Sequence, residues 1–176
     1  IDESEQLERL RGSMSKAVEK GEFEPYLQFV VDRAGTVVGA ETVSRWQNPE
    51  EGLLMPSKYI DLMIRAGTIT ELDLYMLRCA CVQLQTWKRE GRGTLWLSCN
   101  FTRQSIADEK ILARVHEIVE QYDFTRDRLV VELTEDSYAH DREAALRTIE
   151  GLHAMGLRIV LDDIGAGYSS LSDLST

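Results

Sequence analysis

The chain has 176 residues, 43% hydrophobic and 28% charged, which is ordinary globular composition and enough apolar material for one sizeable core, so a single domain is expected. Twenty basic against thirty acidic residues leave a net charge of −10, which argues against DNA, RNA or an anionic membrane as a partner held by a basic surface. Cys79, Cys81 and Cys99 lack metal-ligand spacing and read as reduced core thiols of a cytoplasmic protein, or of the cytoplasmic side of a membrane-bound parent. No apolar run approaches the length of a membrane span, and no signal-peptide pattern opens the sequence.

Taken in chain order, Leu7, Leu10, Met14 and Val18 recur at helical spacing, and Gly21 ends that helix. Tyr26 to Val31 and Thr36 to Ser44 are β-rich runs around the turn signal Asp32-Arg33-Ala34-Gly35, predicting an antiparallel hairpin. Pro56-Ser57 opens a short helix to about Ala66. Thr70-Glu71-Leu72-Asp73 resembles a capping box, predicting a longer helix from there to about Lys88. Then β-rich runs ending at Asn100, Glu132 and Asp162 alternate with helical patterns carrying Ile111, Val115, Ile118 and Tyr122, and Ala145, Ile149, Leu152 and Met155. The order is helix, hairpin, two helices, then β, α, β, α, β, an α/β pattern.

The richest chemistry lies at the ends of those runs. Ile159-Val160-Leu161 leads into Asp162-Asp163, and two acids at the end of a buried strand repel each other unless a cation sits between them. Thirty-two residues separate Asn100 from Glu132 and thirty separate Glu132 from Asp162, each about one strand, helix and parallel strand. Right-handed crossovers then bring these oxygen ligands to one end of a parallel sheet, where a hard divalent cation such as Mg²⁺ or Mn²⁺ fits them. Glu41 and Arg45 share a strand face by the two-residue period.

Each residue also has a plainer reading. Asp162 or Asp163 caps a helix, Asn100 is a turn residue, Glu132 is solvated, and Glu135 begins a helix or hydrogen-bonds to a ligand. Arg45 packs on an indole ring or grips phosphate. Gly165-Ala166-Gly167-Tyr168-Ser169-Ser170 is a capped loop or a phosphate cradle. His116 and His153 sit on helical patterns and His140 in a polar loop, none with a partner at catalytic spacing, and Trp46, Trp87 and Trp96 read as packing.

In order, Gly39-Ala40-Glu41-Thr42-Val43-Ser44-Arg45-Trp46, Cys99-Asn100-Phe101-Thr102, Glu132-Leu133-Thr134-Glu135 and Asp162-Asp163-Ile164-Gly165-Ala166-Gly167-Tyr168-Ser169-Ser170-Leu171 resemble the EAL family of bacterial cyclic di-GMP phosphodiesterases. The match runs from about Leu7 to the end, with Gln28, Pro56 and Gly67 in their expected surroundings. The resemblance implies a TIM-type (β/α) barrel with an antiparallel first strand and hydrolysis of cyclic di-GMP to linear pGpG by two metal ions, Mg²⁺ or Mn²⁺. It implies metal ligation by Glu41, Asn100, Glu132, Asp162 and Asp163, with Asp162 bridging both ions. It also implies a supporting role for Glu135 beside the Asp pair, and a dinucleotide site lined by Gln28, Val43 and Arg45.

The sequence departs from the family pattern at four places. Glu-Ala-Leu reads Glu41-Thr42-Val43, the usual Phe after the Asp pair is Ile164, and the usual Pro after Gln28 is Phe29. The family's later Lys, Glu and Gln fall beyond Thr176. Residues 1–176 are therefore expected to be the N-terminal two-thirds of one EAL domain, an incomplete barrel of about five strands. By itself this piece is expected to hydrolyse negligibly and to self-associate through an open sheet edge, unless the rest of the barrel accompanies it. A homodimer and a regulatory or diguanylate cyclase-like domain in the parent fit this expectation, and the rival reading is a catalytically degenerate module that binds cyclic di-GMP or a protein partner.

Overall fold

A computed structural model describes residues 2–162. Helix α1 (Glu3–Glu19) is capped by Asp2, whose carboxylate accepts from the Ser4 N–H, and ends at Gly21, where φ of 69° favours a residue without a Cβ. Strands β1 (Phe23–Val31) and β2 (Val37–Asn48) form the expected antiparallel hairpin. A short strand β3 (Gly52–Leu54), which the periodicity did not reveal, adds to the end of β2. A 3-10 turn at Pro56–Lys58 precedes α2 (Ile60–Ala66), and α3 (Ile69–Arg89) then crosses to β4 (Trp96–Phe101). The short α4 (Arg103–Ala107), also unforeseen, and α5 (Ile111–Val119) lead to β5 (Leu129–Thr134). Helices α6 (Glu135–His140) and α7 (Arg142–Ala154) lead to β6 (Arg158–Asp162).

The sheet runs β1-β2-β4-β5-β6, with β2, β4, β5 and β6 mutually parallel and β1 antiparallel at one side. Among the described residues it is open along β1 and β6, with the β/α order expected of a TIM-type barrel. Strands β4 and β5 are buried over most of their length, apolar throughout on the outer face and turning polar on the inner face at Ser98, Asn100, Glu132 and Thr134. On the outer face Ala40, Leu97, Cys99, Phe101, Leu129, Val131 and Leu133 pack against the apolar stripes of α3, α5 and α7 in the main core. On the inner face Trp96 and Val130 form a plug with Val30, Val38 and Val160. Gly39 is required there, since a Cβ would lie 2.2 Å from the Trp96 ring.

Two local expectations are corrected. Helix α3 begins at Ile69, and Thr70 lies inside its first turn instead of capping it. Thr68 precedes the helix, yet its hydroxyl donates to the Met63 carbonyl and leaves the helix without a side-chain cap. His140 ends α6 and does not sit in a loop.

Candidate functional site at the strand ends

Strand register decides which side chains share a face. Glu41 on β2 lies opposite Ser98 on β4, Asn100 lies opposite Glu132 on β5, and Glu132 lies opposite Val160 on β6, two residues before Asp162. Passing from Glu41 to Asn100, Glu132 and Asp162, the steps along successive strands are therefore two residues, none and two. Every step is even, so all four positions fall on the inner face. In a barrel with strands tilted roughly 36° to its axis, points at one height advance by about one residue per strand. The observed steps have that size, and the four positions form one layer above the apolar plug.

Glu132 is 8% exposed, Glu41 is half-buried and Asn100 is open to solvent. Beneath this layer the Ser98 hydroxyl, in a residue 1% exposed, has no hydrogen-bond partner among the described residues. Among those residues no three His, Cys, Asp or Glu side chains gather closely enough to hold a metal. Of the five expected ligands, Glu41, Asn100 and Glu132 are described with their side chains. For Asp162 only the backbone position is described, and Asp163 lies outside the described residues. Glu135 opens α6 directly after β5, as its plainer reading anticipated, and its side chain lies outside the described part.

The remaining expected site residues extend the inner face towards the same end. Gln28 pairs with Glu41 across the hairpin, and Val43 pairs with Tyr26. Arg45, half-buried, donates from Nη1 to the Ser44 carbonyl (2.7 Å), and its guanidinium lies 5.4 Å from the centre of the Tyr26 ring. The aromatic partner is thus Tyr26 and not the indole expected from sequence. Trp46 has the opposite parity and stacks on Phe23 with its Nε1 donating to Glu22, in a cluster with Tyr59. Tyr59 bonds the Ser44 hydroxyl (2.7 Å), which fixes the end of β2 from behind.

Parity also sorts the departures from the family pattern. Thr42, 4% exposed, faces the helices, and its hydroxyl has no hydrogen-bond partner among the described residues. It lines a cavity of about 490 Å³ with Leu27, Cys79 and Leu97. Phe29 pairs with Ala40 and so also belongs to the outer face, where it is exposed. Val43 alone of the described departures belongs to the inner face; Ile164 lies outside the described residues.

Sequence reasoning missed Asp73. It lies on the buried stripe of α3 in line with Ile69, Met76, Leu77 and Ala80, and is 7% exposed. Its Oδ2 accepts from the Thr102 N–H (2.9 Å), the Thr102 hydroxyl (2.9 Å) and the Ser105 hydroxyl (2.5 Å). Burial pushes its carboxyl up to about 6, against the pull of the hydrogen bonds from Ser105 and Thr102. The signal was present: an acid in an apolar helical stripe needs a buried partner.

A mostly parallel β/α sheet carrying acids and an amide on one face, at the carboxyl ends of its parallel strands, defines a barrel-type site for a polar or metal-bound ligand. The chain belongs to the EAL domain family, whose model matches residues 11–176. It is 31% identical over 137 residues to the bifunctional diguanylate cyclase/cyclic di-GMP phosphodiesterase MucR of Pseudomonas aeruginosa, covering 78% of this chain and 20% of that protein. It is 30% identical over 163 residues to the cyclic di-GMP phosphodiesterase PdeR of Escherichia coli, covering 93% of this chain and 24% of that protein. The chain therefore spans about a fifth to a quarter of those curated relatives. Among solved structures, the PaMucR phosphodiesterase in complex with c-di-GMP superposes with a TM-score of 0.81 at 29% identity, covering 94% of this chain and 68% of that one. The FimX EAL domain from Pseudomonas aeruginosa bound to c-di-GMP shares the fold, with a TM-score of 0.78 at 16% identity over 94% of this chain and 66% of that one.

Proposed function

We propose that this chain carries part of the active site of a cyclic di-GMP phosphodiesterase, which opens one phosphodiester of the ring to give linear pGpG. The observation that carries the reading is the single inner-face layer of Glu41, Asn100, Glu132 and Asp162 at the carboxyl ends of the parallel strands. Carboxylates and an amide oxygen make a hard donor set suited to Mg²⁺ or Mn²⁺. The buried Ser98 hydroxyl next to that layer, which has no hydrogen-bond partner among the described residues, supports a hydrated occupant, because a water held there would satisfy it. In this reading Glu41, Asn100, Glu132 and Asp162 hold one ion, and Asp162 and Asp163 hold a second.

When bound, the ions lower the pKa of a water and stabilise charge on the attacking and leaving oxygens. The protein's own part is positional. Arg45, steadied by the Ser44 carbonyl and the Tyr26 ring, offers a guanidinium to phosphate, while Gln28 and Val43 line the dinucleotide beside it. Glu135 steadies the segment after the Asp pair. The outward parity of Thr42 and Phe29 supports catalysis over the degenerate alternative, because neither departure touches the layer.

The test is hydrolysis of cyclic di-GMP by the full-length protein with Mn²⁺, set beside its Asp162→Asn variant. The reading predicts pGpG from the unmutated protein and none above background from the variant, with folding little changed. Tight nucleotide binding without turnover in the unmutated protein would select the receptor instead.

A further inference from the structure

Asn100 sits at the exposed end of β4, where the chain turns into the five-residue α4. An amide ligand on such a turn is useful only if the turn is held, and Thr102, which precedes α4, makes no side-chain cap to that helix. Its hydroxyl and its N–H both go instead to Asp73 Oδ2, on a different element, and Ser105 one turn on donates to the same oxygen. Ser105 also reaches the Thr70 hydroxyl at 3.2 Å, so two residues of the first turns of α3 grip the exit from β4.

We propose that Asp73 is a positioning residue for Asn100: by gathering three hydrogen bonds on one buried oxygen it fixes the turn that presents the Asn100 amide to the metal. The inference rests on the reading above. Two facts separate this role from plain packing. Helix α4 has ties besides its Ser105 bond to Asp73, since Gln104 donates to the Ile64 carbonyl on α2 (2.7 Å) and Thr148 of α7 donates to the Ile106 carbonyl (3.2 Å). Two of the three bonds to Asp73 come from Thr102, the second residue after Asn100, where loosening displaces the amide first. A buried carboxylate is also a costly way to stop a helix slipping, and an apolar side chain would fill that stripe of α3 at lower cost.

The experiment is a double-mutant cycle on the full-length protein, with Mn²⁺ affinity measured by titration calorimetry and kcat and KM for cyclic di-GMP measured alongside. Asp73→Ala is expected to weaken Mn²⁺ binding by about 10–100-fold and to lower kcat more than it raises KM, the scale seen when a group orienting a metal ligand is removed. Asp73→Asn, which keeps an acceptor oxygen, should recover most of the loss. In an Asn100→Ala background Asp73→Ala should cost nothing further. Thr102→Val, which leaves the core intact, should weaken Mn²⁺ binding in the same direction by a smaller factor and serves if Asp73→Ala does not fold.

Equal losses with and without Asn100, or unchanged affinity in both Asp73→Ala and Thr102→Val, would overturn the inference. If Asn100→Ala weakens Mn²⁺ binding and the Asp73 and Thr102 variants do not, the inference alone fails. If Asn100→Ala itself leaves Mn²⁺ affinity unchanged, the metal reading of the layer fails and the inference with it.

Discussion

The two faces of one sheet follow opposite rules. On the outer face Leu97, Cys99, Leu129, Val131 and Leu133 alternate into a dry core against the helices. On the inner face, one residue along in each strand, Ser98, Asn100, Val130 and Glu132 rise from an apolar plug to a polar rim. The outer face holds the fold together, and the inner face carries acidic positions at its rim. A substitution therefore has consequences set by its parity more than by its chemistry, which is why Thr42 and Val43, adjacent in sequence, bear on different properties.

The comparison is broken most sharply on its inner side. Glu132→Gln removes a charge from the layer with no change of volume, and hydrolysis by the full-length protein should fall at least about 10³-fold, or ~4 kcal/mol of barrier. Its denaturation midpoint should stay near that of the unmutated protein. The outer counterpart is Leu97→Ala, in a side chain fully buried against the helices. It should cost ~2–5 kcal/mol of stability in chemical denaturation, while the fraction that stays folded keeps its turnover.

Asp73 crosses the boundary, since it sits in the outer core and serves the inner face. Its carboxyl is raised from 3.8 to about 6 in the folded protein, so between those values the folded state holds a proton that the unfolded chain has released. Stability from this group is therefore greatest below about pH 4, falls as pH rises towards 6, and above that is lower by ~3 kcal/mol. Denaturation at pH 4.5 and 7.5 should show this fall in the unmutated protein and its absence in Asp73→Asn. Equal pH dependence in the two proteins would contradict the assignment.

The smallest effect sharpens the parity rule. Thr42→Val replaces a buried hydroxyl that has no hydrogen-bond partner among the described residues by a methyl of the same shape, so stability should stay level or rise by up to ~1 kcal/mol with kcat unchanged. A large loss of turnover would place residue 42 on the wrong face.

Much of this was legible in the sequence because strands and crossovers leave strong local marks. The spacing from Asn100 to Glu132 to Asp162 anticipated parallel neighbours, and the two-residue period anticipated the shared face of Glu41 and Arg45. What sequence obscured depends on contacts between distant segments. Asp73 resembled the acid of a capping box, and only the arrival of Thr102 and Ser105, some thirty residues later, turns it into a buried acceptor. Arg45 is followed by Trp46, so the indole looked the natural partner, yet alternation sends the indole outward and leaves Tyr26 of the facing strand. Strand β3 has three residues and α4 five, too short for periodicity to reveal.

The central claim is that the inner-face layer is a metal site. The direct measurement is anomalous diffraction from crystals of the full-length protein grown with Mn²⁺. The account predicts a peak about 2.1–2.3 Å from oxygens of Glu41, Asn100, Glu132 and Asp162, with a second peak shared by Asp162 and Asp163. Saturating Mn²⁺ with no peak in that layer, or with the peak on acids of the outer surface, would contradict it.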